Sequence, residues 1–229
     1  MPVTFLWLEP CLRATPIGYV GGVLDALVGS ALARTTRTVA ALRPARKPLH
    51  PQGRVVTGRL RRTGLRPPTG VAWLDEVGED EVLVRRSRAV GLPAPLPDIH
   101  GLAVRVPLGP DDHGDLLLAS TGWGRATRFL LTVSRRPEGR PLTTLLPYRT
   151  PAGPLLVGAR AQGEDRFELA CAVGLGEWRP FATLDLAAAG ADLEVSFDPV
   201  RRQLPGLEQY DWVERLREPS YATARGSRR

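Results

Sequence analysis

From Gly53 onward, Gly, Pro and Asp cut the chain into short runs with β-type composition. This segmentation constrains the fold more than any other feature. The runs are Arg54–Leu60, Val71–Leu74, Glu81–Arg85, Gly101–Pro107, Asp115–Ser120, Arg128–Ser134, Pro154–Ala161, Phe167–Val173, Trp178–Leu184 and Leu193–Phe197. Strand candidates at turn-bounded spacing predict an antiparallel sandwich or barrel rather than βαβ units. In Leu102-Ala-Val-Arg-Val106 the alternation sends one face inward and Arg105 outward or into a cavity. Closure into a barrel removes free edges.

The two ends of the chain carry a different period. Between Ile17 and Leu42, Val20, Val23, Leu24, Leu27, Val28, Leu32, Val39 and Leu42 recur at three and four, which predicts one or two amphipathic helices broken near Gly29-Ser30. Such an arm packs on its own domain or a sister subunit more often than on a lipid surface. The stretch Arg43 to Pro51 holds three prolines and reads as a linker. After Leu204-Pro205-Gly206 the helical period returns with Trp212, Val213, Leu216 and Tyr221, and Pro219 predicts a restart of the helix. The expected class is α+β, mainly β, with a helical arm over 1–45 and an antiparallel barrel plus terminal helix over 46–229.

Composition narrows the function. With 229 residues, 43% hydrophobic and 24% charged, the chain can bury a core without disulfide staples. The net charge is +7 and Lys47 is the only lysine, so the excess is Arg, whose fork pairs carboxylates and phosphates. The arginines are spread along the chain, and no aromatic-interleaved basic stripe or helix-turn-helix pattern argues for a specific nucleic-acid partner. Cys11 and Cys171 are far apart and outside any CxxC, which excludes a disulfide framework and a four-ligand zinc site. The apolar start lacks a charged n-region and is broken by Glu9 and Pro10, and 16–33 is too mixed for a membrane span, so a reducing cytoplasm is expected. There is no GxxxxGK[ST], GxGxxG after a strand, GxSxG or HExxH, and His50, His100 and His113 are scattered. What remains is chemistry carried by an acquired cofactor, or binding alone.

Four ordered blocks point to the cofactor: Lys47-Pro-Leu-His-Pro-Gln-Gly53, Val84-Arg-Arg-Ser87, Asp98-Ile-His-Gly-Leu-Ala-Val-Arg105, and Pro205-Gly-Leu-Glu followed by Arg217-Glu-Pro-Ser-Tyr221. In that order and at that spacing they resemble the core of the haem catalases, over about Lys47 to Arg225 with a shortened middle. The resemblance implies a reduced, catalase-like barrel binding haem b. It implies Tyr221 as the axial ligand to iron, a phenol with an unperturbed pKa of about 10 that must lose its proton and is helped by a nearby cation. Arg217 stands four residues earlier, one helical turn away. His50 becomes the distal histidine that shuttles a peroxide proton, and Ser87 the residue that orients its ring. Arg85 and Lys47 match the basic positions that hold the propionates, while Arg105 falls where the family often has Lys without need of cofactor contact. Outside the four blocks, Tyr221 would read as the anchor of a terminal helix and His50 as a linker histidine.

The departures are specific. The family's G-N-N-T segment, whose amide works with the distal histidine, corresponds here to Asp115-Leu-Leu-Leu-Ala-Ser-Thr121, with Ser120 or Ala119 in the amide's place. Loss of one such donor costs about 2.7–4 kcal/mol of transition-state stabilisation in hydrolases. Arg86 replaces an aromatic and His100 replaces an arginine, and neither is assigned a role. The expected function is therefore that of a weak haem peroxidase, an oxidoreductase acting on hydrogen peroxide or organic hydroperoxides. The alternatives are a barrel that binds haem or a lipid-like ligand without turnover, and an Arg-rich interaction protein tied to a membrane or nucleic acid through residues Ile17–Arg46. A homo-oligomer is compatible with either.

Overall fold

The computed structural model describes residues 52–89, 91, 95–187 and 195–226. The arm expected over 1–45, together with Lys47 and His50, lies outside the described residues.

Among the described residues ten strands form: β1 (Gln52–Thr63), β2 (Val77–Arg88), β3 (His100–Pro107), β4 (His113–Ser120), β5 (Leu142–Thr143), β6 (Tyr148–Thr150), β7 (Gly153–Ala161), β8 (Arg166–Val173), β9 (Arg179–Leu186) and β10 (Glu208–Gln209). Every pairing among them is antiparallel. The hydrogen-bonded order β10-β6-β7-β5-β4-β3-β2-β1-β9-β8 is closed by β7 against β8, so eight strands make a ring and β6 and β10 extend from it. β5 and β6 share one edge of β7 at two heights, and the chain turns between them at Leu145, which adopts φ 62. A non-glycine residue there is held only by its surroundings.

Alternation decides what faces inward. Val56, Val84, Val104 and Leu116 stand opposite one another across β1 to β4 and are buried in the core with Leu155, Phe167 and Leu184. Their strand neighbours Thr57, Arg85, Ala103 and Leu117 face outward, as expected when the side-chain period is two. At one end of the barrel the core is continued by Leu65, Val71, Leu74, Leu204 and Leu207.

Two expected strands are not strands, and the described part of a third is not one either. Val71–Leu74 is curled into the single turn α1 (Ala72–Asp75), with Leu74 and Asp75 donating to the Val71 carbonyl. The Asp75 carboxylate drives the curl by accepting from the Thr69 and Gly70 amides and the Thr69 hydroxyl at 2.8–2.9 Å. Arg128–Ser134 is a 3-10 turn at Thr127–Phe129 followed by isolated bridges of Leu131 to Thr121 and Ser134 to Asp98. Of Leu193–Phe197 the described part, Val195–Phe197, has no strand.

The terminal helix, α2 (Asp211–Gly226), begins with acidic residues Asp211 and Glu214 in its first turn, favourable against the helix dipole, and buries Val213. It runs through Pro219 without the expected restart. A proline removes one backbone donor, and the loss stays local to the carbonyl one turn back. No helix among the described residues is long and apolar enough to cross a membrane.

Candidate functional site

On the outer face of β1 to β4, Gly53, Ser87, Gly101 and Ala119 fall opposite one another in one cross-strand row. At about 4.8 Å per strand the row spans roughly 14 Å. None carries more than two side-chain heavy atoms, and all four are half-buried, so the barrel wall presents a smooth strip here. The next row on the same face is Val55, Arg85, Ala103 and Leu117.

Arg85 stands in that next row. Its guanidinium lies across the bare backbone of Gly53: a Cβ at that glycine would come within 2.7–2.8 Å of Nε, Cζ and Nη2. A glycine in the first block thus leaves room for the arginine of the second, although the two are far apart in sequence.

Register puts the two residues expected in the amide's place on opposite faces. Ala119 is the residue that shares the strip with Ser87 and Gly101. Ser120 points to the opposite face, is fully buried, accepts from the His100 amide at 3.1 Å and donates to the Thr132 carbonyl at 2.6 Å. At the β4 position of the strip, therefore, stands a methyl group and not a hydroxyl.

Beyond Ala119 the row reaches Thr143 of β5, where the strip ends. Thr143 is buried, and its hydroxyl donates to the Arg128 carbonyl at 2.8 Å. The next residue, Thr144, offers its carbonyl to Nη2 of Arg217 at 3.3 Å, and Nη1 of Arg217 is 3.5 Å from Oε1 of Gln209. Arg217 thereby ties α2 to the end of β5. Position 221 follows one helical turn later in the same helix.

Arg105, Arg86 and His100 of the sequence blocks have structural partners. Arg105 makes a fork-to-carboxylate pair with buried Asp115, Nε to Oδ1 at 2.8 Å and Nη2 to Oδ2 at 3.0 Å, and lies 4.8 Å from the Phe197 ring. Asp115 also accepts from the Asp198 amide at 2.7 Å, so this carboxylate is fully engaged. Arg86, which replaces an aromatic, faces the barrel end and pairs with Glu138. His100 is buried with Nε2 on the Ser134 carbonyl at 2.9 Å; a carbonyl only accepts, so that nitrogen carries the hydrogen.

The residues near the strip fit a flat cofactor with acidic substituents: small side chains allow close approach, and Arg85 is a fork for a carboxylate. Among the described residues no three His, Cys, Asp or Glu side chains are grouped to hold a metal ion directly. Sequence reading missed Gly53, Gly101 and Ala119 as members of one surface. Counting parity outward from Ser87 would have found them once the pairing was known.

Comparison with solved structures gives a fungal catalase, with TM-score 0.55, 13% identity, and coverage of 98% of this chain and 66% of that one. Catalase A from Saccharomyces cerevisiae matches with TM-score 0.55 and 12% identity, over 97% of this chain and 68% of that one. The chain thus spans about two thirds of the length of these catalases. No family model matches the chain, and no curated protein matches it. At this identity the likeness is one of architecture: a closed antiparallel barrel of the catalase fold.

Proposed function

We propose that this chain is a haem b protein on a reduced catalase barrel, a weak peroxidase that acts on hydrogen peroxide or organic hydroperoxides. The observation that carries the reading is the outer-face strip Gly53, Ser87, Gly101 and Ala119 with Arg85 laid over its glycine, on a fold shared with catalases. Tyr221 would hold the iron as phenolate, and Arg217, one turn earlier, would favour the ionised phenol. Arg85 and Lys47 would pair with the two propionates. His50 takes the proton from the inner peroxide oxygen and returns it to the outer one, a task suited to a group with an ordinary pKa near 6.5. Ser87 holds the imidazole in orientation. Haem held there would supply the two electrons that break the O–O bond, and a second molecule of hydrogen peroxide, oxidised to O2, would return them.

Ala119 favours a second reading, in which the barrel binds haem or a lipid-like ligand without turnover, because its methyl gives a bound peroxide no hydrogen-bond donor. Expression with a haem precursor followed by absorption spectroscopy separates the cases. A Soret band that Tyr221→Phe abolishes, with peroxide turnover that His50→Ala lowers while haem is retained, supports the peroxidase. Equal turnover in His50→Ala and the parent leaves the binding reading, and a protein without a Soret band ends the haem assignment.

A further inference from the structure

The loops that follow β4 and β8 meet on the outer face of β7, β8 and β9. There a cavity of about 380 Å³ is bounded by Arg160 of β7, Glu168 of β8, Pro180 of β9 and the half-buried indoles of Trp123 and Trp178. Arg128 also lines it, although that residue is only 1% exposed.

Three contacts place the Arg128 guanidinium. Nε donates to the Gly124 carbonyl at 3.2 Å, Nη1 donates to the Gly176 carbonyl at 3.0 Å, and the charged group lies 4.6 Å from the centre of the Trp178 ring. Trp178 is fixed in turn, its Nε1 donating to the Trp123 carbonyl at 2.7 Å. Nη2 has no hydrogen-bond partner among the described residues. The side-chain nitrogens there that are both sealed from solvent and partnerless belong to Trp73 and Trp212, so Nη2 is open to the cavity.

The remaining charges of the wall cancel. Arg125 pairs with Glu177 at 2.6 Å and Arg160 with Glu168 at 3.0 Å. Among the described residues no carboxylate lies within ion-pair distance of Arg128, and Glu177 acts on it only through space, raising a pKa that burial lowers. A buried charge is ordinarily paired, because carbonyl dipoles and a ring face replace only part of its hydration. The cavity thus carries one uncompensated positive charge, at its most buried side chain.

We propose that this cavity binds a small monovalent carboxylate, one oxygen accepting from Nη2 of Arg128. A single unpaired cation matches a single negative charge, and Glu168 and Glu177 in the wall oppose a dianion. The exposed arginines Arg125 and Arg160 are spent on their own partners and supply no head contact. The site shares no residue with the strip on β1 to β4 and does not rest on the haem reading.

Calorimetric titration of the full chain at pH 8, with ionic strength held by sodium chloride, tests the site using acetate, acetamide and inorganic phosphate. Acetate binds at least tenfold more tightly than acetamide, which keeps the shape without the charge, and than phosphate, which is mainly a dianion at this pH. Arg128→Gln abolishes acetate binding. Glu177→Gln, at an exposed position, removes the carboxylate that competes for Arg128 and tightens acetate at least threefold. The proposal is overturned by absence of acetate binding above the chloride background, by acetamide or phosphate binding as tightly as acetate, or by a Glu177→Gln chain that binds acetate no more tightly than the parent. An unchanged affinity in Arg128→Gln overturns it as well, and the ligand series and Glu177→Gln decide even if that variant folds poorly. Haem loading is read separately, in the absorption spectrum, and acetate leaves any Soret band in place.

Discussion

The methyl of Ala119 stands in the row of Ser87 and Gly101, one residue before a serine that faces the other way. An asparagine there would place an amide on the strip without entering the core. We therefore expect Ala119→Asn to raise peroxide turnover of the haem-loaded chain on the order of 10²-fold, the size of one preorganised donor. Steady-state oxygen release or peroxide consumption checks it, and an equal gain from Ser120→Asn would contradict the facing assigned here. Sequence alone left 119 and 120 as equals because a one-residue slip in register exchanges the two faces of a strand. Cys171 presents a different residue-level consequence. It is fully buried, and burial pushes its thiol up to about 11, so it has almost no thiolate at neutral pH. Iodoacetamide should leave the Cys171 peptide unmodified in the native chain and label it fully in urea, as mass spectrometry of the digest would record. Burial, with Arg105 adding to it, holds His113 below its ordinary 6.5. The unfolded chain then takes up a proton that the native chain refuses, so stability is complete above about pH 6.5 and falls as the pH drops below that value. Urea midpoints at pH 7.5 and 5.5 should differ less in His113→Gln than in the parent.

Among the elements, the long strands were legible and the short ones were not. β3 showed its alternation openly, and β7 and β8 were continuous apolar runs with clear turn boundaries. β5, β6 and β10 have only two or three residues each and no pattern that a period of two could reveal. Val71–Leu74 was misread because a four-residue apolar run fits strand and helix equally, and the decision came from the Asp75 carboxylate. The segment after β4 was misread for a different reason: Arg128, read as a strand residue, is buried and turns back to the Gly124 and Gly176 carbonyls. It lies 4.6 Å from the Trp178 ring, Trp178 stacks on Trp123 at 4.1 Å, and Arg160 lies 5.0 Å from Trp123 on β7's side. This stack of cations and indoles sits on Gly158, where a Cβ would meet Trp123 at 2.7 Å and Trp178 at 2.9 Å. Gly158→Ala should push the indoles apart and cost about 1–3 kcal/mol, read as a lower urea midpoint and altered tryptophan emission. The helix α2 was legible in period and start, and its passage through Pro219 was not, since a local penalty cannot be weighed against packing that lies elsewhere.

For the molecule as a whole, antiparallel closure was the reading that composition and spacing supported best, and the ring of eight strands bears it out. What spacing could not reveal is how the ring shuts: Gly58 through Arg62 of β1 pair with Ala182 through Leu186 of β9, and β7 with β8. A chain ending at residue 175 keeps β1 to β8 but leaves the free edges of β1 and β8 exposed. Such edges recruit other chains. Size-exclusion chromatography of that truncation should show soluble aggregates or loss to the pellet, where the full chain runs as a discrete species. The seam between the first strand and the ninth also sets a timetable during synthesis. At roughly 5–20 residues per second, β1 leaves the ribosome on the order of ten seconds before the strand that will complete its hydrogen bonding. For that interval the nascent chain carries an unsatisfied border, and a chaperone able to shield it would be needed most just then.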